Sequence, residues 1–107
     1  MRIVLTSKFS REAKRLNKKY ATFKKDLALK IAELRKNPHD GESIGQSCYK
    51  VRMAITSKGK GKSGGSRIIT CVKIEKEIIY LLTIYDKSEC EDLEDCELKT
   101  LLKQIEA

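Results

Sequence analysis

The sequence has few of the residues that common enzyme chemistries require. It contains one histidine, His39, and four cysteines, Cys48, Cys71, Cys90 and Cys96, of which no two have the C-x₂-C spacing of a zinc site. A thiol nucleophile usually takes a histidine as its base, and the single histidine lies beside a turn glycine. We therefore expect reduced structural thiols, no metal and no cofactor.

Long apolar segments are also missing. No apolar run approaches the roughly 18 residues of a membrane span, and residues 1–5 are too short for the apolar region of a signal peptide. We expect a cytoplasmic protein with no membrane association. The 107 residues, with one proline and six glycines, predict a single compact domain over residues 1–107 rather than a disordered chain.

Acidic residues are scarce in the first part of the chain. Residues 1–62 hold 17 basic and 5 acidic residues, whereas residues 63–107 hold 6 basic and 10 acidic ones. The net charge is +8 and the pI is near 9.4, which favours a phosphate-bearing partner such as nucleic acid. On charge alone, lysines that merely solvate two helices explain the excess equally well.

Hydrophobic periodicity predicts a strand and two helices in the first 38 residues. Residues 2–5 form a short β-branched run typical of a strand. Apolar residues then recur at helical steps of three and four, at Phe9, Ala13, Leu16, Tyr20, Phe23, Leu27, Ile31 and Leu34. We expect residues 17–19 to loosen or turn the chain between the two helices, and Pro38 to end the second helix near Asn37.

The remainder predicts three strands and a last helix. Residues 39–42 suit a turn and residues 49–55 a strand; residues 56–65, with four glycines and three lysines, suit an exposed loop. Residues 66–74 and 78–85 indicate an antiparallel hairpin, and Leu98, Leu101, Leu102 and Ile105 a terminal helix. The predicted fold is α+β in the order β-α-α-β-β-β-α, an antiparallel sheet with two N-terminal helices on one face, a C-terminal helix, and a face that can stay open.

Basic residues gather at one end of this predicted sheet. Strand pairing brings several of them within reach of one phosphodiester, and an arginine on a regular element can hold a phosphate by a bidentate contact. The alternative is that the lysine- and glycine-rich loop only connects two strands and binds nothing. The cluster comprises Lys50, Arg52, Lys58, Lys60, Lys62, Arg67 and Lys87.

These residues carry a family resemblance. Residues 49–54, the loop and strand of residues 58–69, and the run Y-L-L-T-I-Y-D-K of residues 80–87 resemble the RelE superfamily of bacterial toxins, especially its HigB-like branch. The resemblance implies a RelE-like fold and the toxin of a type II toxin-antitoxin pair. It also implies a metal-independent endoribonuclease that cuts messenger RNA in the ribosomal A site by attack of the ribose 2′-hydroxyl on the adjacent phosphate, and a cognate antitoxin that holds it inactive.

The resemblance also implies catalytic roles. Arg67 would stabilise the transition-state phosphate, and Lys87 would bind phosphate or assist the leaving group. Lys50 and Arg52 would lower the pKa of the attacking hydroxyl or hold the RNA backbone. Some ribosome-dependent members have an arginine directly after the lysine that corresponds to Lys87, whereas this chain has Ser88 there.

RNA contacts are expected outside the catalytic set. The loop lysines Lys58, Lys60 and Lys62 would follow the phosphate backbone. A tyrosine that some members place in the terminal helix is missing, and by the resemblance Tyr85 would substitute for it in stacking on a base.

Two other functions fit the same residues. A ParE-like toxin would inhibit DNA gyrase and cleave no RNA, although the basic cluster argues against it. A non-enzymatic basic module would bind RNA with a steep salt dependence. The seven acids of residues 86–97 suit either the start of a helix or a segment through which an antitoxin acts.

Overall fold

The computed structural model describes residues 1–59, 61, 64–89 and 95–105. These residues form a mixed α+β fold, which confirms the predicted fold class. In chain order the main elements are β1 (Arg2–Leu5), α1 (Ser7–Lys19), α2 (Phe23–Lys36), β2 (Glu42–Gly45), β3 (Cys48–Met53), β4 (Ser66–Lys73), β5 (Ile78–Asp86) and α3 (Asp95–Leu102). Short 3₁₀ turns occupy Thr56–Lys58, Ile74–Lys76 and Lys103–Ile105.

The sheet has the strand order β1-β5-β4-β3-β2. It differs from the predicted sheet in two ways: β2 is an additional strand, and β1 pairs with β5 in parallel. The strand β2 was missed because Glu42 to Gly45 has no apolar alternation. It forms because the turn residues Gln46 and Ser47 adopt positive φ, at 54° and 62°, which suits a two-residue hairpin.

The first N-terminal helix begins at a capping threonine, and the second ends just before the proline. The Thr6 side chain accepts a hydrogen bond from the Phe9 N–H at 3.3 Å, which caps α1. This helix continues through Lys19, so the prediction that residues 17–19 loosen it was wrong. Lys18 and Lys19 interact favourably with the negative end of the helix dipole and so stabilise the last turn of α1. The chain turns only after Tyr20. The helix α2 ends at Lys36, as Pro38 predicts.

Apolar side chains cover both faces of the sheet. One cluster joins Phe9, Leu16, Phe23 and Leu34 of the first two helices to Val51, Met53, Ile68, Ile79, Leu81 and Ile84. A second joins Leu98, Leu101 and Leu102 of α3 to Cys48, Ile69, Cys71, Leu82 and Tyr85. The terminal helix therefore covers part of the face that was expected to stay open. With both faces covered, β4 and β5 are buried along almost their whole length, which suits their apolar runs.

Two cysteines belong to the second cluster. Cys48 and Cys71 lie opposite each other on β3 and β4 and are free, buried thiols. The Cys48 and Cys71 thiols both donate to the Gln46 carbonyl, at 3.4 Å and 3.9 Å, and the neighbouring Cys71 thiol together with burial raises the pKa of Cys48. Cys90 and the side chain of Cys96 lie outside the described residues. None of the helices in the described ranges is long and apolar enough to cross a membrane.

Candidate nucleic-acid interface

Three residues form a row across neighbouring strands at one end of the sheet. Arg52 of β3 is the register partner of Arg67 of β4, which is in turn the partner of Tyr85 of β5. Alternation along β3 and β4 places both arginines on the face that α3 partly covers, since Cys48 and Cys71 of the same face belong to the second cluster. The fold thus brings together three of the predicted site residues, the first and last of which are 33 positions apart in sequence.

Arg67 is a buried arginine with a like charge beside it. It is 4% exposed, and its Nη1 donates to the Ser66 carbonyl at 3.0 Å. Burial, and then the nearby Arg52, lower its pKa from the ordinary value. Two cations at directly opposite positions repel each other, and an anion that contacts both would relieve this repulsion.

Arg52 and Lys50 line an open cavity at the outer side of this row. Arg52 is exposed, whereas Lys50 is half-buried and pairs with Glu42 of β2 across 3.6 Å. The cavity measures about 310 Å³ and is lined by these three residues with Lys30, Asp40 and Gly41. The polar cavity therefore adjoins the end of the row that carries Arg52.

Tyr85 closes the other side of the row. Its side chain is 9% exposed and packs in the second apolar cluster. It also lines a cavity of about 230 Å³ together with Lys8, Glu12, Thr83, Ile84, Glu97, Thr100 and Leu101. The ring is thus held between α1, β5 and α3 rather than presented on an open surface.

Lys87 follows β5 directly and lies near the start of β4. Its side chain is half-buried, and its backbone N–H donates to the Gly65 carbonyl at 3.0 Å. Ser66 and Asp86 are register partners one step further along the two strands. The backbone of Lys87 is thus fixed beside the strand that carries Arg67.

Lys58 has an intramolecular partner. Its Nζ lies 2.7 Å from Asp86 Oδ1, and its side chain is 9% exposed. It also lies 5.5 Å from the centre of the Tyr20 ring. Lys60 and Lys62, the other two loop lysines of the prediction, lie outside the described residues. His39 makes an edge-to-face contact with Tyr49 at 5.5 Å.

Asp86 is a residue whose importance the sequence interpretation missed. It was counted with the acidic residues that start the terminal helix, but it is the last residue of β5 and its side chain is fully buried. Burial would raise its pKa, yet hydrogen bonds from Lys58, Tyr20 and Ser88 hold the pKa well below its usual range. The available signal was an acid that directly follows a continuous apolar strand, since burial of such a charge requires partners.

Comparison with known proteins places the chain beside one group of toxins. The family model described as the RelE toxin of the RelE/RelB toxin-antitoxin system matches residues 1–106. A mutant of the E. coli toxin RelE in the free state matches with a TM-score of 0.63 and 19% identity, covering 98% of this chain and 97% of that one.

Two further solved structures show the same fold. The isolated E. coli RelE toxin matches with a TM-score of 0.62 and 15% identity, covering 95% of this chain and 96% of that one. The toxin-antitoxin complex RelBE of E. coli matches with a TM-score of 0.61 and 18% identity, covering 79% of this chain and 94% of the matched chain. The three-dimensional likeness thus extends over nearly all of each toxin.

Proposed function

This chain belongs to the RelE family of toxins from toxin-antitoxin systems, and from that premise we propose that it is a metal-independent endoribonuclease that cleaves messenger RNA on the translating ribosome. The observation that carries the proposal is the pair Arg52 and Arg67, directly opposite each other on one face of the sheet. Two cations at facing positions fit one phosphodiester, which is the group that such an enzyme must bind.

The reaction is an internal phosphoryl transfer. The ribose 2′-oxygen forms a bond to the adjacent phosphorus, the bond from phosphorus to the 5′-oxygen breaks, the 2′-hydroxyl loses its proton and the 5′-oxygen gains one. The products are a cyclic phosphate and a free 5′-hydroxyl, and no external reactant is consumed. The protein has to stabilise the charged phosphate and to favour both proton movements.

The arginines suit the charge that develops on the phosphate. Arg67 is buried on a central strand, and a guanidinium held in a site of low dielectric interacts strongly with an anion. Arg52 is more exposed and would contact a second phosphate oxygen. Because both side chains stand on neighbouring strands, little reorganisation is needed when the phosphate binds.

The lysines suit the two oxygens that exchange protons. Lys50 lies on the same face of β3 as Arg52 and would favour ionisation of the 2′-hydroxyl. Lys87 would stabilise the 5′-oxygen as it leaves, and its backbone bond to Gly65 fixes where that side chain starts. Lys60 and Lys62 remain predicted contacts to the RNA backbone. Burial of the Tyr85 ring in the second apolar cluster disfavours the contact to a base that the sequence predicts for it.

A cognate antitoxin is the proposed protein partner. The E. coli RelBE structure is a toxin-antitoxin complex, and the toxin chain in it shares the fold of this protein. By analogy, an antitoxin would bind this chain and keep its basic face from RNA.

Purified protein tests the proposal on two substrates, free messenger RNA and the same messenger RNA held on stalled ribosomes. Primer extension should reveal cuts on ribosomes and few or none in free RNA, and Arg67→Ala should abolish them. Lys76→Ala is the matched control, because Lys76 is an exposed cation at the opposite end of β4. Intact RNA on both substrates would contradict the proposal, and inhibition of gyrase supercoiling by the same sample would favour a ParE-like activity.

A further inference from the structure

The carboxylate of Asp86 is the meeting point of three segments. Its Oδ1 accepts hydrogen bonds from Lys58 Nζ at 2.7 Å, from the Ser88 N–H at 3.0 Å and from the Ser88 hydroxyl at 2.7 Å. Its Oδ2 accepts a hydrogen bond from the Tyr20 hydroxyl and lies 3.6 Å from Lys19 Nζ. One buried charge therefore joins the end of α1, the loop that follows β3 and the end of β5.

The entry of the loop between β3 and β4 is fixed at a second point. Asp26 of α2 accepts the Thr56 N–H at 2.9 Å and the Thr56 hydroxyl at 2.6 Å. The Thr22 hydroxyl also accepts the Ser57 N–H at 2.9 Å. The 3₁₀ turn Thr56–Lys58 is thus held against α2 at its beginning and against Asp86 at its end.

The exit of the same loop is attached to the residue after Asp86. Gly65 accepts the Lys87 N–H, and the Ser66 hydroxyl donates to the Met53 carbonyl at 3.1 Å. A Cβ on Gly65 would overlap the Met53 carbonyl oxygen, so the two ends of the loop pass very close to each other. Entry and exit both depend on the short segment formed by residues 86 and 87.

We infer that Lys58 and Asp86 form a positioning pair. Their ion pair locks the base of the loop onto the end of β5 and thereby sets Lys87 and Arg67 at a fixed separation for one phosphate. Lys58 is then a structural partner of the catalytic residues and makes no contact with RNA. This inference rests on the proposed function, and it replaces the role in RNA binding that the sequence predicts for Lys58.

The burial of Lys58 favours a positioning role over a contact with RNA. An ammonium that is 9% exposed and 2.7 Å from a buried carboxylate would have to give up that contact in order to bind a phosphate, and the carboxylate would then face the more distant Lys19 Nζ, at 3.6 Å. Leaving one member of a buried ion pair without its partner is strongly unfavourable.

Asp86→Asn distinguishes the roles because they predict opposite effects. If Lys58 contacts RNA, loss of the Asp86 charge releases a cation, and RNA binding becomes tighter and more dependent on salt. If the two residues form a positioning pair, the substitution loosens the loop and lowers the rate of cleavage, by up to about 100-fold for a displacement near 1 Å. The conservative amide keeps an acceptor for Ser88.

The experiment measures kcat, KM and the salt dependence of RNA binding for four proteins: wild type, Lys58→Met, Asp86→Asn and the double variant. We expect each single variant to lower kcat with KM and the salt slope unchanged, and the double variant to lose less than the two single losses combined, since it leaves no unpaired charge. Lys76→Met is the control for removal of a distant lysine. Loss of one phosphate contact on a single strand lowers the magnitude of the slope of log K against log salt concentration by about 0.7. Such a decrease in Lys58→Met would overturn the inference. An unchanged kcat in both single variants would overturn it as well.

Hydrogen exchange of the Lys87 N–H keeps the inference testable even if the wild type cuts no RNA. This group is bonded to Gly65, and in a positioning pair it should exchange faster in both single variants than in wild type, at a temperature where all variants remain folded by circular dichroism. An unchanged exchange rate of the Lys87 N–H in both single variants would overturn the inference that Lys58 and Asp86 form a positioning pair. Absence of cleavage by wild type would refute the proposed function alone.

Discussion

Arg52 and Arg67 face each other across β3 and β4, with their side chains on the same face of the sheet. Cross-strand neighbours of like charge destabilise a sheet, so this arrangement has a cost to folding. The cost is understandable if the two guanidinium groups serve one anion. In the proposed mechanism, phosphate binding depends on this pair more than on either arginine alone.

The first prediction concerns these two arginines. Arg52→Ala and Arg67→Ala should each lower kcat for cleavage by about 10² to 10³, as removal of one donor to a developing oxyanion does in other enzymes. The double variant should lose less than the product of the single losses, because both residues act on one phosphate. Single-turnover cleavage on programmed ribosomes measures this. Strictly multiplicative losses would show that the arginines bind separate groups.

The second prediction concerns the ends of the RNA fragments. Attack by the 2′-hydroxyl leaves a free 5′-hydroxyl on the downstream fragment, so a polynucleotide kinase should label it without prior phosphatase treatment. The upstream fragment should carry a cyclic phosphate, identified by its mass. A 5′-phosphate on the downstream fragment would instead mean attack by water, and the proposed roles of Lys50 and Lys87 would be wrong.

The third prediction concerns stability and pH. The folded state holds the pKa of Asp86 below its ordinary value of 3.8, so the contribution of this carboxylate is complete above about pH 4 and is lost as the pH falls below it. Asp86→Asn leaves Lys58 buried beside a neutral group and should cost about 3 kcal/mol of unfolding free energy near neutral pH.

Urea unfolding from about pH 7 down to about pH 3 tests the linkage, with the exposed Glu75→Gln as the control for removal of a carboxylate. The difference between wild type and Asp86→Asn should shrink on the acid side of about pH 4. A difference that stays constant over the whole range would show that the charge of Asp86 contributes nothing.

The fourth prediction concerns Gly65. An alanine there would place its Cβ against the Met53 carbonyl oxygen and 2.9 Å from the Ala54 Cα, and backbone atoms cannot yield easily. We expect a loss of about 1–3 kcal/mol together with slower cleavage, because Gly65 also accepts the Lys87 N–H. Thermal unfolding and the cleavage assay measure the two effects.

Gly59→Ala is the comparison for Gly65→Ala. Gly59 has a φ of 69° but nothing within 4 Å of an added Cβ, so its cost is backbone strain alone, about 1 kcal/mol. Cleavage by this variant should stay closer to wild type. Equal loss of activity in both variants would mean that contact with Met53 is not what matters at Gly65.

The sequence predicted the elements whose apolar pattern is regular. Both N-terminal helices, the strands that carry Lys50, Arg52 and Arg67, and the terminal helix lie close to their expected positions. The strand β2 was not predictable from hydrophobicity, because it is a short, mostly exposed edge strand whose formation depends on the positive φ of Gln46 and Ser47. Parallel pairing of β1 is set by the layout of the whole sheet rather than by any local signal.

The candidate site was predictable to a similar degree. The sequence predicted that Arg52 and Arg67 gather at one end of the sheet, whereas their direct pairing is seen only in the strand register. The partnership of Lys58 with Asp86 could not, because these residues are 28 positions apart and three segments of the chain meet there. The sequence around a loop lysine and a strand-end aspartate is the same whether the two side chains are exposed or form a buried ion pair.

The most direct test is induced expression of wild type, Arg67→Ala and Lys76→Ala in a bacterial host, with 5′ ends mapped on one abundant transcript by primer extension. We expect growth arrest with cuts in phase with the codons for wild type and Lys76→Ala, and neither arrest nor cuts for Arg67→Ala at equal protein level. Arrest of growth by wild type with an intact transcript would contradict this expectation, and so would unchanged cutting by Arg67→Ala.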